Sequence, residues 1–214
     1  MMKHLIIIGA RGWGREVYAT AIKTNEFLNG EYDVKGFLDD DAHAFDGLNG
    51  SYPSILASVE DYMPCKDDVF FCAMGDSCWR KHYAEIIEGK GGEFISIIHP
   101  TSRVNKTAKI GGGSIITAYS IISDNVTIGK HVMVQSFSDI GHDAVVGDYA
   151  SIGAYVFMGG YSSVGEMATM NTRSSIIPHK SIGKQCVVGI GSVVMRKFKD
   201  GVHVFGNPAR ISEM

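Results

Sequence analysis

Residues 134–158 read VQSFSDIGHDAVVGDYASIGAYVFM, and in this stretch Val134, Ile140, Val146, Ile152 and Met158 fall six apart. The same step continues without a break on both sides. Toward the N-terminus it runs back through Ile128, Ile122, Ile116, Ile110 and Val104 to Ile98; toward the C-terminus it runs through Val164, Met170, Ile176, Ile182 and Val188 to Val194. A fixed short period outranks other signals, because each repeat is a unit that cannot bury its apolar face alone. Two places before these residues stands, in most hexads, a small one, such as Ser114, Ser120, Ser138, Ala144, Ala150, Ser162, Ala168 and Ser174. Residues two apart in a strand share a face, so each hexad offers one large and one small inward side chain on a short flat segment. A glycine often follows the large residue, as at Gly129, Gly141, Gly147, Gly153 and Gly165, where it permits a tight or closely packed backbone. Three segments and three bends close a triangular coil of about eighteen residues, and stacked coils bury continuous aliphatic columns. An α-helix needs a period near 3.6 and a β-sandwich irregular strand spacing, so the pattern predicts a parallel solenoid.

The repeat fills only the second half of the 214 residues, which leaves room for a separate N-terminal domain. Lys3–Ile8 reads as a buried strand, followed by Gly9-Ala10-Arg11-Gly12-Trp13-Gly14 and a helical pattern over Arg15–Asn25. Strand, glycine turn and helix form a Rossmann-like unit whose free backbone N–H groups suit phosphate oxygens. The spacing is GxxGxG and not the GxGxxG of dinucleotide sites. Val34–Leu38 and Val69–Met74 are expected strands, Leu56–Tyr62 and Arg80–Glu88 expected helices, and Lys90–Gly92 an expected hinge. This order predicts a small α/β domain with a parallel sheet over 1–93, a solenoid over 94–198 and a capping segment over 199–214. Asp39, Asp40 and Gly75 fall at carboxyl ends of strands, where open α/β sheets bind ligands. The two carboxylates either contact a ribose or base, or line a solvated turn.

Net charge is −3 with 20% charged residues, giving no general reason to expect nucleic-acid or anionic-membrane partners. The apolar run Leu5–Ile8 is too short for a membrane span or a signal-peptide core, so a cytoplasmic chain is expected. Cys65, Cys72, Cys78 and Cys186 lack zinc or redox spacing and read as buried free thiols. No metal-ligand cluster, G-x-S-x-G elbow or GK[ST] motif occurs, and no metal is expected.

Because the inward columns are committed to packing, chemistry must come from other positions. His142 and Asp143 follow Gly141 outside the columns. An exposed imidazole can take a proton from an attacking amine or hydroxyl, and a neighbouring carboxylate can fix its tautomer. Asp143, Asp124 and Asp148 are alternatives for that carboxylate. His131 and His179 are further surface candidates, and His99-Pro100 marks the start of the solenoid. At the far end, Arg210 in the segment from Val202 can hydrogen-bond an anion while the segment caps the last coil.

Taken together, GARGWG, GFLDD, GDSCWR, the hexads, IGHDAVVGD and VFGNPAR resemble the hexapeptide-repeat acyltransferases with a left-handed parallel β-helix. The likeness is closest to the sialic-acid O-acetyltransferase and bacillosamine N-acetyltransferase-like sugar acetyltransferases. The resemblance implies a homotrimer with acetyl-CoA between adjacent β-helices and direct transfer without a covalent enzyme intermediate. It implies that His142 is the base, that Asp143 assists it, and that the backbone at Gly160 meets the acetyl carbonyl. Ser151 stands where relatives carry a second histidine near acetyl-CoA, and Asn207, Pro208 and Arg210 belong to the terminal motif on the cofactor side. Gly9, Gly12 and Gly14 then match nucleotide-sugar phosphate contacts, with Asp39, Asp40 and Gly75 beside them. Trp13 replaces a histidine of the bacillosamine enzymes. The implied activity is N-acetylation of a nucleotide-linked amino sugar; O-acetylation of sialic acid or a related sugar and a non-catalytic sugar-binding solenoid are the alternatives. A nicotinamide oxidoreductase would leave the solenoid unexplained.

Overall fold

The computed structural model describes residues 2–212, which form two compact units divided between Pro100 and Thr101. The first unit holds a parallel sheet of β1 (Lys3–Ile8), β2 (Tyr32–Leu38), β3 (Ile55–Ala57), β4 (Asp68–Cys72) and β5 (Glu93–Phe94), in the order β3-β2-β1-β4-β5. Leu5 to Ile8 and every residue of β4 are buried, as expected of central parallel strands covered on both faces. Helices α1 (Gly12–Ala21), α2 (Asn25–Leu28) and α3 (Ser77–Gly89) complete the unit. One core face gathers Ile6, Ile8, Leu38, Phe70, Cys72 and Ile87.

Four local expectations change here. The helix expected over Arg15–Asn25 starts at Gly12 and ends at Ala21, because the glycine turn is itself its first turn; Thr24 then caps a separate short helix by accepting from Phe27 N at 3.2 Å. The helix expected over Leu56–Tyr62 is replaced by edge strand β3, which pairs Phe37 with Ile55 and Leu38 with Ala57, followed by a turn. Gly36 permits that pairing, since a Cβ there would stand 2.6 Å from Ser54 O; a long-range contact overrides the local pattern. Lys90–Gly92 lies inside the first compact unit and not at the division between the two. Lys90 Nζ donates to the carbonyls of Val59 (3.1 Å) and Tyr62 (3.0 Å), and Gly92 packs so closely on Ile87 and Phe70 that no side chain fits. The compact unit accordingly runs past 93 to Pro100, with Glu93 and Phe94 paired to Val69 and Phe70. Finally, Cys72 and Cys186 are buried, but Cys65 and Cys78 are exposed, because they lie in surface turns at a strand and a helix start; all four are free. Burial pushes the Cys72 thiol up to about 12.

Two charged groups are buried deliberately. The Asp68 carboxylate is fully covered and accepts from Lys35 Nζ (2.7 Å), Tyr62 Oη (2.7 Å) and Cys65 N (2.8 Å). Arg80, fully buried on α3, donates from Nη1 to Met74 O (2.7 Å) and Gly75 O (3.1 Å), bracing the chain that leaves β4. Both satisfy the rule that interior charges need partners.

The second unit is the solenoid. Two-residue strands stack into three parallel sheets: one through Ile121–Ile122, Asp139–Ile140 and Phe157–Met158, one through Thr127–Ile128, Val145–Val146 and Ser163–Val164, and one through Met133–Val134, Ser151–Ile152 and Thr169–Met170. The large column from Ile116 to Val194 is buried throughout, and Ser114, Ser138, Ala144, Ala150 and Ala168 beside it are equally covered. The glycine after the large residue serves close packing: a Cβ on Gly141 would meet Met158 O at 2.7 Å in the next coil. The bend itself lies two residues further on. Tyr119, Asn125, His131, Phe137, Asp143, Tyr149, Tyr155, Tyr161 and their successors to Gln185 all have φ between 54° and 63°. That left-handed conformation costs about 1 kcal/mol for a non-glycine residue. Each corner offsets it by a hydrogen bond to the preceding coil, as in Asp143 N to Asp124 O (3.0 Å) and Tyr161 N to His142 O (3.0 Å). At the end, His203–Phe205 pairs in parallel with Val187–Val188, and Arg210–Ile211 turns back antiparallel on it, covering the last parallel edge.

Candidate active site

In the first unit the strand ends frame a cavity of about 480 Å3. Gly9, Trp13, Gly14, Asp39, Asp40 and Gly75 are in its wall; Gly12 is not. The three glycines have separate reasons. Gly9 takes φ +94°, Gly14 sits so close to Gly9 O that a Cβ would overlap it, and a Cβ on Gly12 would meet nothing nearer than Arg15 at 4.0 Å. Arg11 is the N-cap of α1 and makes no side-chain cap bond, leaving the first N–H groups of the helix without one. Arg11 also lines the cavity, where it is the only lysine or arginine, together with Asp39, Asp40 and Asp41. Asp39 is heavily engaged: Oδ2 accepts from Ala10 N (2.8 Å) and Oδ1 from Asp41 N (3.0 Å). Its carboxylate ties the glycine turn to the end of β2. Trp13 brings a buried indole Nε1 with no hydrogen-bond partner among the described residues. Met74 and Tyr83 complete the apolar side.

In the second unit His142 and Asp143 occupy the corner between the strands Asp139–Ile140 and Val145–Val146. The side chain of His142 is 58% exposed, and its Nδ1 lies 2.8 Å from Asp143 Oδ2. A carboxylate only accepts, so Nδ1 carries the proton and Nε2 of the neutral ring keeps its lone pair. The face of Gly160 lies against that edge of the ring, since a Cβ there would stand 2.6 Å from Nε2. Asn125 Nδ2 donates to the other oxygen of Asp143 at 2.7 Å. Hydrogen bonds from Asn125 and then His142, joined by Tyr161, hold the Asp143 carboxyl below the usual carboxylate range. The alternative carboxylates are occupied elsewhere: Asp124 accepts from Thr107 Oγ1 and Asp148 from Lys130 N.

His131 is not a surface group; it is buried, stacked on Tyr149 at 4.9 Å on one side and packed so closely on Gly113 that a Cβ there would overlap its ring. His179 stacks on Tyr161 at 5.0 Å. Ser151 lies on the third sheet, a different face from the His142 corner. Asn207 and Pro208 sit in the turn of the cap, and Arg210 is exposed with Nη1 on its own Ala209 O. Among the described residues no group of His, Cys, Asp or Glu is arranged to hold a metal, and no helix is long and apolar enough to cross a membrane.

Residues 4–87 match the family described as PglD N-terminal domain, and residues 125–160 match bacterial transferase hexapeptide (six repeats). The first match falls in the α/β unit and the second in the solenoid. The first match spans the cavity and the second runs from Asn125 to Gly160, with His142 inside it. A UDP-N-acetylbacillosamine N-acetyltransferase of Bacillus subtilis is 33% identical over 122 residues, which is 55% of this chain and 52% of that protein, so the match spans about half the relative's length. The acetyltransferase domain of PglB from Neisseria gonorrhoeae, in complex with acetyl coenzyme A, superposes with TM-score 0.89 at 23% identity over 99% of this chain and 100% of that one. PerB from Caulobacter crescentus, in complex with CoA and GDP-perosamine, gives 0.85 at 25% identity over 100% and 99%. The fold is that of these left-handed β-helix acetyltransferases.

Asn125 and Tyr161 carry no mark of their own in the sequence, nor do Arg11, Met74 and Tyr83, whereas His179 is one of the two further histidine candidates. Asn125 and Tyr161 had a usable signal all the same: stepping eighteen residues from Asp143 along the repeat lands on Asn125 in one direction and on Tyr161 in the other. Met74 and Tyr83 had none, because they meet the cavity only after β4 and α3 pack.

Proposed function

We propose that this chain is an acetyltransferase that moves the acetyl group of acetyl-CoA directly onto the amino group of a nucleotide-linked amino sugar. The geometry at His142 carries this reading. With Nδ1–H held by Asp143, Nε2 accepts a proton from the amine as nitrogen attacks the thioester carbonyl; the carbon–sulfur bond then breaks, and the sulfur takes that proton from Nε2 so that CoA leaves as the thiol and the imidazole is neutral again. Gly160 leaves the carbonyl room beside that nitrogen, and its backbone N–H is the donor we assign to the developing oxyanion. The N-terminal cavity takes the nucleotide, with Arg11 and the start of α1 toward the diphosphate and Asp40 and Asp41 toward base or ribose hydroxyls. The curated relative and PerB, whose partners are a UDP sugar by name and GDP-perosamine, support an amine-bearing nucleotide sugar.

The working form is a homotrimer. Ser151 and His142 lie on different faces of one chain, so a CoA site that uses both is built between copies. An exposed column of Tyr119, Phe137 and Tyr155, stacked at 5.1 and 4.9 Å, supports such packing. Sedimentation equilibrium at three times the chain mass is the expected result.

The deciding experiment measures CoA release with acetyl-CoA against nucleotide amino sugars and free sialic acids, followed by product mass and fragmentation. Acetylation of an amine is expected, with folded His142→Ala at least about 100-fold slower. Product acetylated only on oxygen, or stoichiometric binding without CoA release, overturns the reading.

A further inference from the structure

We propose that Asn125 is a positioning residue for the base, tethering Asp143 so that His142 presents one tautomer and one ring orientation. This rests on the reading of His142 as the base. The corner residues at 125, 143, 161 and 179 share the left-handed conformation and stack in one line along successive coils. Other corner columns carry aromatic or mixed side chains; this one carries a continuous polar chain. Thr107 Oγ1 accepts from Asn125 N at 2.8 Å, and Asn125 Nδ2 donates to Asp143 Oδ1 at 2.7 Å. Asp143 Oδ2 is thereby left for His142 Nδ1 at 2.8 Å. Tyr161 closes the other side, edge-on to the imidazole at 5.2 Å and 90° and stacked on His179.

A His–Asp pair adjacent in sequence and exposed to water has little to hold it, and such surface pairs contribute little by themselves. Asn125 is exposed as well, so its amide bond adds little to the stability of a coil already fixed by its columns and backbone pairing. Its consequence is orientation. With Asp143 clamped at one oxygen, rotation of the carboxylate would break a charge-assisted hydrogen bond, and the imidazole is held with Nε2 at Gly160. The residue type fits the place twice over, because asparagine tolerates the left-handed corner and supplies the donor that aspartate cannot.

The test uses Asn125→Gly, which keeps the corner conformation and removes the amide, and Asn125→Asp, which keeps the shape and replaces a donor with a like charge. In full-length protein labelled with nitrogen-15 histidine, the wild type should show His142 as the Nδ1–H tautomer, and both variants a shift toward the Nε2–H form. With the amine substrate, kcat should fall about tenfold in Asn125→Gly and further in Asn125→Asp, with both KM values within about twofold and the melting temperature unchanged. Unchanged His142 nitrogen shifts in both variants would overturn the proposal, as would a loss confined to KM. The spectra are independent of turnover: a tautomer shift in a protein that acetylates no amine would leave Asn125 in its role and sink the assignment of function instead.

Discussion

The two units solve the same problem, burying enough surface to stay folded, in opposite ways. In the solenoid each rung repeats its neighbours: Val134, Ile140, Val146 and Ile152 occupy equivalent places, and any one can be exchanged for another at small cost. In the α/β unit the supports are unique. Asp68 has one lysine, one tyrosine and one backbone N–H, Arg80 has one pair of carbonyls, and Gly14 has one strand end to approach. Redundancy frees the solenoid's corners for chemistry, and uniqueness makes the α/β unit sensitive at positions that carry none.

Mutations should separate the two. The largest effect is expected for Asp68→Ala, which removes a buried carboxylate and its charge-assisted hydrogen bonds from Lys35, Tyr62 and Cys65, and costs about 3–5 kcal/mol in urea unfolding of the first unit. The same group gives an acid dependence. Burial acts to raise the Asp68 pKa, but hydrogen bonds from Lys35, Cys65 and Tyr62 outweigh it and hold the carboxyl below its ordinary value. Its contribution is therefore complete above the unfolded value of about 3.9 and is lost as pH falls through the lower folded value. Wild-type stability should drop on acidification below about pH 4, and Asp68→Asn should flatten that drop. Next comes Gly14→Ala, whose new carbon overlaps Gly9 O and should cost about 3 kcal/mol. The smallest is Ile140→Val, about 1 kcal/mol, although it lies two residues from the proposed base. A loss of several kcal/mol there would break the claim that rungs are interchangeable; a negligible loss at Asp68 would break the claim that the first unit rests on unique supports.

The same contrast sets what was legible in the sequence. The columns, their inward partners and the parallel stacking follow from the six-residue step, and β1 runs over the expected Lys3–Ile8. The candidate pair His142–Asp143 stood out because it lies outside the columns, and the structure joins its two members at 2.8 Å. The edge strand at Ile55–Ala57 did not, since its apolar residues suit a helix locally and only β2 selects the strand. His131 reads as a surface histidine and is buried.

The sequence by itself determined the solenoid, because a period repeated over many coils states the same contact again and again, and no single neighbour has to be known. It also determined that a strand, a glycine turn and a helix open the chain. Only the tertiary structure decided that Asn125 and His142 take the two oxygens of Asp143, that Asp39 spends both oxygens on backbone N–H groups, and that Arg11, Met74 and Tyr83 share a cavity. The tie from Asp39 to Ala10 and the wall of the cavity each bring together, once, residues distant in the chain, and a contact made once leaves no periodic trace to read.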